Sequence, residues 1–278
     1  MLTKDEIKSV KRILEKIYKE YHSSKFAVND PVQWLYSYQS VEDKEIVGLI
    51  SALFAFGSAK VFNRKIQGIL SLWQSPSREL PQWSYDEFLT AMKGFRYRFV
   101  SGETVANFFY GLRRIIEEYS SVGSCFSNHY EQNSEVLWSA FQSFTDELRK
   151  FADDPLPFLV PNPKSGGACK RLCLYLRWMV RKDKIDVGCW NFIEPKQLIV
   201  PLDTHIYQWA IMLGLIQPRS MNARTAMLIT EAFQQICPDD PLRYDFSLCQ
   251  TGMLGLKDKI IYDTFGIINV SKDKIHGK

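Results

Sequence analysis

The sequence lacks any apolar run of 18 or more residues, which excludes a transmembrane helix of ordinary length. It also lacks a signal-peptide pattern, so a cytoplasmic protein with no membrane contact is expected. Its six cysteines (Cys125, Cys169, Cys173, Cys189, Cys237 and Cys249) form no paired CxxC knuckles. That spacing argues against a zinc knuckle, and a chain of this size has little need of a disulfide framework. Cys169 and Cys173 lie one helical turn apart, but no second pair at ligand spacing joins them, so they are expected to be free core thiols. His129 is isolated and is expected on the surface. No metal and no cofactor are expected. Internal repeats, low-complexity tracts and strand patterns longer than a few residues are absent too. What remains is helical periodicity almost throughout, and the fold class expected is all-α.

The 278 residues could form one large or two small domains, and 46% hydrophobic residues are enough for a full core. The net charge of +4 is compatible with nucleic-acid binding without requiring it.

Two stretches carry the chemistry. The first is Leu198–Leu215, LIVPLDTHIYQWAIMLGL. Asp203 stands at an N-cap position before a run with Ile206, Ala210 and Leu213 at helical spacing, and Gly214 is placed to end it. A carboxylate there accepts free backbone N–H groups and is favoured by the helix dipole, so it is rigid and ionised. A cap alone is the plainer reading of Asp203. The second stretch is 161–182, PNPKSGGACKRLCLYLRWMVRK. A Pro/Asn/Ser/Gly turn leads into a helix from about Ala168 to Arg181, with Lys170 in its first turn. The dipole disfavours a cation there and Arg171 adds repulsion. Both effects are expected to push Lys170 toward the neutral, nucleophilic amine. A solvated or phosphate-binding lysine is the alternative.

Elsewhere, residues 3–22 read as an amphipathic helix opened by a Thr3/Glu6 capping box. Residues 29–40 read as an aromatic-rich loop. A strongly buried helix follows, Gly57 and Ser58 break it, and a second runs over about 59–73. In KGFRYRF, Arg96 and Arg98 alternate with aromatics, which suits nucleic acid or an extended segment with one buried face. Helices are expected from about Ser101 and over about 135–151 and 221–236, with 120–134 a loop. Asp239 or Asp240 is placed to start the helix carrying Asp245, and the tail from Ser271 is expected to fray.

Together SGGACKR and VPLDTHIYQW resemble the helix–hairpin–helix superfamily of DNA glycosylases. In that family a Gly-containing hairpin precedes a catalytic lysine, and a later helix opens on an aspartate. The long interval from Lys170 to Asp203, the LIVPLD phrase and the following MLGL look most like the archaeal 8-oxoguanine glycosylase branch. The resemblance spans roughly residues 45–265, with a hairpin at about 161–171. It implies one two-lobed helical unit over 1–278 with the active-site cleft between its lobes. It further implies a bifunctional glycosylase/lyase, acting as a monomer on double-stranded DNA that carries a damaged base. Lys170 and Asp203 would be catalytic, with Gly166, Gly167 and Arg171 at the DNA backbone beside Arg96 and Arg98. Asp245, in RYDFSLCQTGM, matches an aspartate that binds the damaged base, and Arg177 would orient it or reach a phosphate. Phe56 stands nearest to a residue that endonuclease III inserts into DNA, and a core phenylalanine is the alternative. The chain departs from the family at Ala168, where a glycine is usual, and at Cys249, where an aromatic is usual. The four C-terminal cysteines of an iron–sulfur cluster are missing, so no cluster is expected. A DNA-binding protein of this fold without the reaction is the rival reading.

Overall fold

Apolar side chains at 3.6-residue spacing bury one face of almost every segment, and the chain is accordingly mostly helical. The computed structural model describes residues 3–152 and 156–265. The charged tail from Ser271 lies outside the described residues.

Helix α1 (Lys4–Tyr21) starts at the expected capping box. Thr3 Oγ1 accepts the Glu6 N–H at 3.3 Å, and Glu6 Oε2 accepts the Thr3 N–H at 2.7 Å. Val10, Ile13, Leu14 and Ile17 are its buried stripe. Residues 29–40 are not a plain loop. Of two short 3-10 helices, Ser24–Asn29 leads into this stretch and Pro31–Ser37 occupies most of it. Asp30 caps the second one ahead of Pro31, whose fixed φ suits a first helical position.

Helix α2 (Val41–Phe54) is buried on nearly all sides and packs on α9 (Lys170–Val180). Gly57, with φ +83°, turns the chain into α3 (Ala59–Leu70). A one-turn helix α4 (Pro76–Glu79) and α5 (Tyr85–Ala91) follow. The KGFRYRF stretch then forms a two-stranded antiparallel hairpin, β1 (Arg96–Tyr97) and β2 (Val100–Ser101). The paired Tyr97 and Val100 are buried on one face while Arg96 faces out, as alternation in a half-buried strand requires, and Arg98 is exposed in the turn between the strands at φ +51°.

Helices α6 (Gly102–Tyr119), α7 (Val122–Gln132) and α8 (Leu137–Lys150) pack on one another. The expected loop at 120–134 is therefore corrected to α7. His129 is buried within it, its Nε2 3.9 Å from the Glu147 carboxylate. Ser121 caps α7 and Val122, Cys125 and Phe126 supply its buried face; that short polar-rich pattern hides its period.

Helices α10 (Thr204–Met212), α11 (Ala223–Ile236), α12 (Asp245–Met253) and α13 (Lys257–Phe265) complete the chain. Neither Asp239 nor Asp240 opens α12. Asp240 instead pairs with Arg181 at 2.9 Å. Around that pair lies a buried ionic web in which Arg181 also meets Asp186 and Asp183, while His22 Nε2 lies 3.0 Å from Asp183. The web ties α1 to the end of α9. Removing one partner from such a buried set typically costs about 3–5 kcal/mol, because the other charge is stranded. The buried side chains run together as one core from Val10 to Ile261.

Candidate functional site

A cleft of about 880 Å³ opens where the first turns of α9, α10 and α12 meet the segments around Asp30 and Phe56. Three of these helix starts deliver acidic or basic groups to it.

Lys170 is the first residue of α9. The chain reaches it through Gly166, at φ +75°, and Cys169, a non-glycine at φ +47°. A left-handed non-glycine residue immediately before a catalytic candidate is a strained placement. It swings Lys170 toward α10. There Asp203 caps the helix as expected, accepting the Ile206 N–H at 2.9 Å through Oδ1. Its other oxygen, Oδ2, accepts from Lys170 Nζ at 3.0 Å.

This pairing corrects the expected neutral amine. Burial works against the Lys170 charge, but Asp203 outweighs it and the ammonium is held above its ordinary pKa. Burial likewise opposes ionisation of Asp203, yet Lys170 and the Ile206 N–H hold its carboxyl below the usual range. The helix dipole and Arg171 are the weaker influences. The resting site is thus an ion pair, and the amine becomes nucleophilic only once a proton leaves it. Cys249 Sγ sits 3.5 Å from the same Asp203 Oδ2. Burial pushes its thiol well up, so it stays protonated and able to donate.

Asp245 opens α12 and is 6% exposed. Its Oδ2 accepts from Arg177, whose Nε also reaches Asp186 at 3.2 Å. Arg177 is itself 2% exposed, and its hydrogen bond to Asp245 holds that carboxylate in place. Burial raises Asp245 to about 6, and Arg177 only partly offsets this because it is shared with Asp186. Asp245 Oδ1 and Arg177 Nη2 are buried without a hydrogen-bond partner. Buried polar atoms left open beside a cleft are unusual enough to suggest a ligand.

The remaining candidates divide. Gly166 and Gly167 are exposed in the turn before α9, and the Gly166 carbonyl accepts the Ala223 N–H at 3.0 Å. Arg96 and Arg98 are exposed. Arg171 is not a free DNA contact. Its guanidinium donates to the Leu53 carbonyl at 2.6 Å and the Phe158 carbonyl at 2.7 Å, and it covers the Phe56 ring at 5.0 Å. Phe56 is half-buried, packed on Tyr97 with ring centroids 4.7 Å apart, and its carbonyl accepts the Tyr97 hydroxyl. It is a wall of the cleft, pinned on two sides.

Two groups in the cleft went unread in the sequence. His205 follows the cap, and burial lowers its pKa, so the ring is neutral. Its Nδ1 is buried without a partner against Gly252, where a Cβ would lie 2.6 Å away. Only glycine leaves room for the ring there. Asp30 is the other. It lies in the stretch that reads as a loop, and the signal that could have found it is the Asp-Pro pair typical of a helix start; only the fold places it in the same cleft as Lys170. Among the described residues no group of three or more His, Cys, Asp or Glu is arranged to hold a metal, and no helix is long and apolar enough to cross a membrane.

A family model described as a protein of unknown function, DUF2400, matches residues 30–254, and the chain belongs to that family. All the cleft residues discussed above fall within the match. No curated protein and no solved structure matches the chain.

Proposed function

We propose that the protein is a DNA N-glycosylase with an associated lyase step, acting on an oxidised purine, with 8-oxoguanine as the first substrate to test. The fold would then be the two-lobed helix–hairpin–helix bundle, with its hairpin at 161–171. One observation carries the reading. Lys170 and Asp203, distant in sequence, meet at 3.0 Å in a cleft that also holds an Arg177-anchored Asp245 with an open acceptor.

In this reading the damaged base is turned out of the duplex into the cleft, because its glycosidic bond is shielded in the stack. Lys170 passes a proton to Asp203, and the freed amine attacks C1′ of the sugar. The glycosidic bond breaks with its electron pair going to the base, and Asp203 returns the proton it took from Lys170 to the departing base, becoming a carboxylate again. Asp203 also stabilises the positive character that develops on the sugar. The C1′ amine adduct then loses a proton and expels O4′, which takes up a proton as the sugar ring opens. The resulting Schiff base acidifies C2′, and loss of a C2′ proton eliminates the 3′ phosphate. Asp245 accepts the N7 hydrogen that 8-oxoguanine has and guanine lacks. The exposed hairpin at Gly166 and Gly167, with Arg96 and Arg98, supports the backbone.

The test is release of the free base from a duplex carrying one 8-oxoguanine, followed by chromatography, with undamaged duplex as control. Release from the damaged strand alone is expected. Tight binding to the damaged duplex without release would favour the non-catalytic damaged-DNA-binding reading, which the internally occupied Arg171 and the Cys249 departure also fit.

A further inference from the structure

The cleft holds a second open carboxylate for which the mechanism above has no use. Asp30 Oδ1 accepts the Val32 N–H at 3.0 Å, and that cap fixes the side chain. No other hydrogen bond reaches the Asp30 carboxylate among the described residues, while its backbone pairs with Ala27 and Gln33. It lines the same cleft as Lys170, Arg177 and Asp245. Burial pushes its pKa up, and the Arg177 and Lys170 charges work against that rise. Asp30, ahead of the second 3-10 helix, and Asp245, at the start of α12, thus bring two carboxylates to one cleft from different elements. The second, independent sign of a ligand is the buried Asp245 Oδ1, 6% exposed as a residue and without a partner.

In their ionised form these two carboxylates are acceptors only. A molecule that satisfies both must present N–H groups at two separate edges. Purines differ in this respect. A guanine-type base carries N1–H and a 2-amino group side by side on its Watson–Crick edge, matching the two oxygens of a carboxylate. An adenine-type base puts an acceptor at N1, which a carboxylate repels. An 8-oxo substituent adds an N7–H on the opposite edge in either case.

Resting on the glycosylase reading, we propose that Asp30 is a specificity-determining residue: it accepts from the N1–H and 2-amino group of a flipped guanine-type 8-oxopurine, while Asp245 takes N7–H. The site therefore selects 8-oxoguanine over 8-oxoadenine, although both share the N7–H.

The experiment compares kcat/KM for single 8-oxoguanine and 8-oxoadenine duplexes in wild type and Asp30→Asn. Asparagine keeps the cap through its oxygen and offers N–H groups where the carboxylate accepted. Wild type is expected to favour 8-oxoguanine, and Asp30→Asn to reduce that ratio at least about tenfold, the scale expected when a hydrogen-bonding edge is mismatched. A general loss of fold or catalysis lowers both substrates together and leaves the ratio in place. Asp30→Ser, which keeps the cap and removes the charge, is measured alongside and is expected to lower the ratio as well. An unchanged ratio in either folded variant overturns the role of Asp30 while leaving the glycosylase reading intact. So does a wild type that excises both bases equally. A wild type that excises neither overturns both.

Discussion

Replacing Asp203 by asparagine separates the two tasks assigned to this residue. Asparagine retains the helix cap, so the fold should hold. What is lost is the negative charge 3.0 Å from Lys170 Nζ. At an effective dielectric constant of 20, a pair at that distance interacts by about 5 kcal/mol. The Lys170 side chain keeps 37% of its exposure, and solvent screening reduces that figure to roughly 2–3 kcal/mol. Burial then acts on Lys170 without its main counterweight, and the amine loses its proton at lower pH than in wild type. A preformed abasic site needs only the amine, so it reports this directly. Borohydride trapping on abasic duplex, measured against pH, should show its acid limb displaced downward by one to two units (about 1.4 kcal/mol each). Excision of a base should at the same time slow about 10²- to 10³-fold, because the developing positive charge on the sugar loses its stabiliser. Asp203→Ala should behave alike in chemistry but lose roughly 1 kcal/mol of stability with the cap. An acid limb that stays in place in Asp203→Asn, or an excision rate equal to wild type, would refute the reasoning and leave Asp203 a structural cap.

Asp245→Ala should impair recognition of 8-oxoguanine more than affinity for plain duplex, read by competition binding; equal losses on both duplexes contradict base reading. Burial raises Asp245 to about 6, so preference for the damaged base in wild type should fall as pH drops through about 6 and stay flat in Asp245→Ala. For stability the sign is the opposite. A folded pKa above the unfolded value, near 4, means a contribution that is full below pH 4 and lost as pH rises through about 6. Thermal melts of wild type across that window check it against the alanine variant. Arg96→Ala and Arg98→Ala remove exposed charges, and each should lower the salt slope of DNA affinity by about one unit without altering damage preference; an unchanged slope removes that arginine from the interface.

Local rules made much of this molecule legible. The Thr3/Glu6 box and the Asp203 cap are each written within four residues, and both form as expected. The helices with clear apolar stripes do as well. The missed elements are those whose determinants are not local. The segment after Ser23 carries aromatics without a 3.6-residue period, because 3-10 turns place them differently. His129 lacks a partner at ligand spacing, yet it is buried beside Glu147 of the next helix. The charge state of Lys170 was misread for the same reason. Its near neighbours favour a neutral amine, while its partner lies 33 positions away. The order of Lys170, Asp203 and Asp245 suggested a site, and only packing of α9, α10 and α12 brings them into one cleft. Asp30 and Arg171 make the converse point. Asp30 falls in a stretch that reads as a loop, so neither its cap nor its place in the cleft is anticipated, and Arg171, next to Lys170, donates to two carbonyls of its own chain.

The central claim is that Lys170 is a nucleophile acting on damaged DNA. Borohydride trapping on a duplex with a single 8-oxoguanine tests it most directly, with wild type beside Lys170→Gln and with abasic and undamaged duplexes as controls. The account predicts a stable crosslink to the 8-oxoguanine strand in wild type and none in Lys170→Gln, which should still bind DNA. A crosslink that persists in Lys170→Gln, or folded wild-type protein that crosslinks to neither the damaged nor the abasic strand, would contradict it.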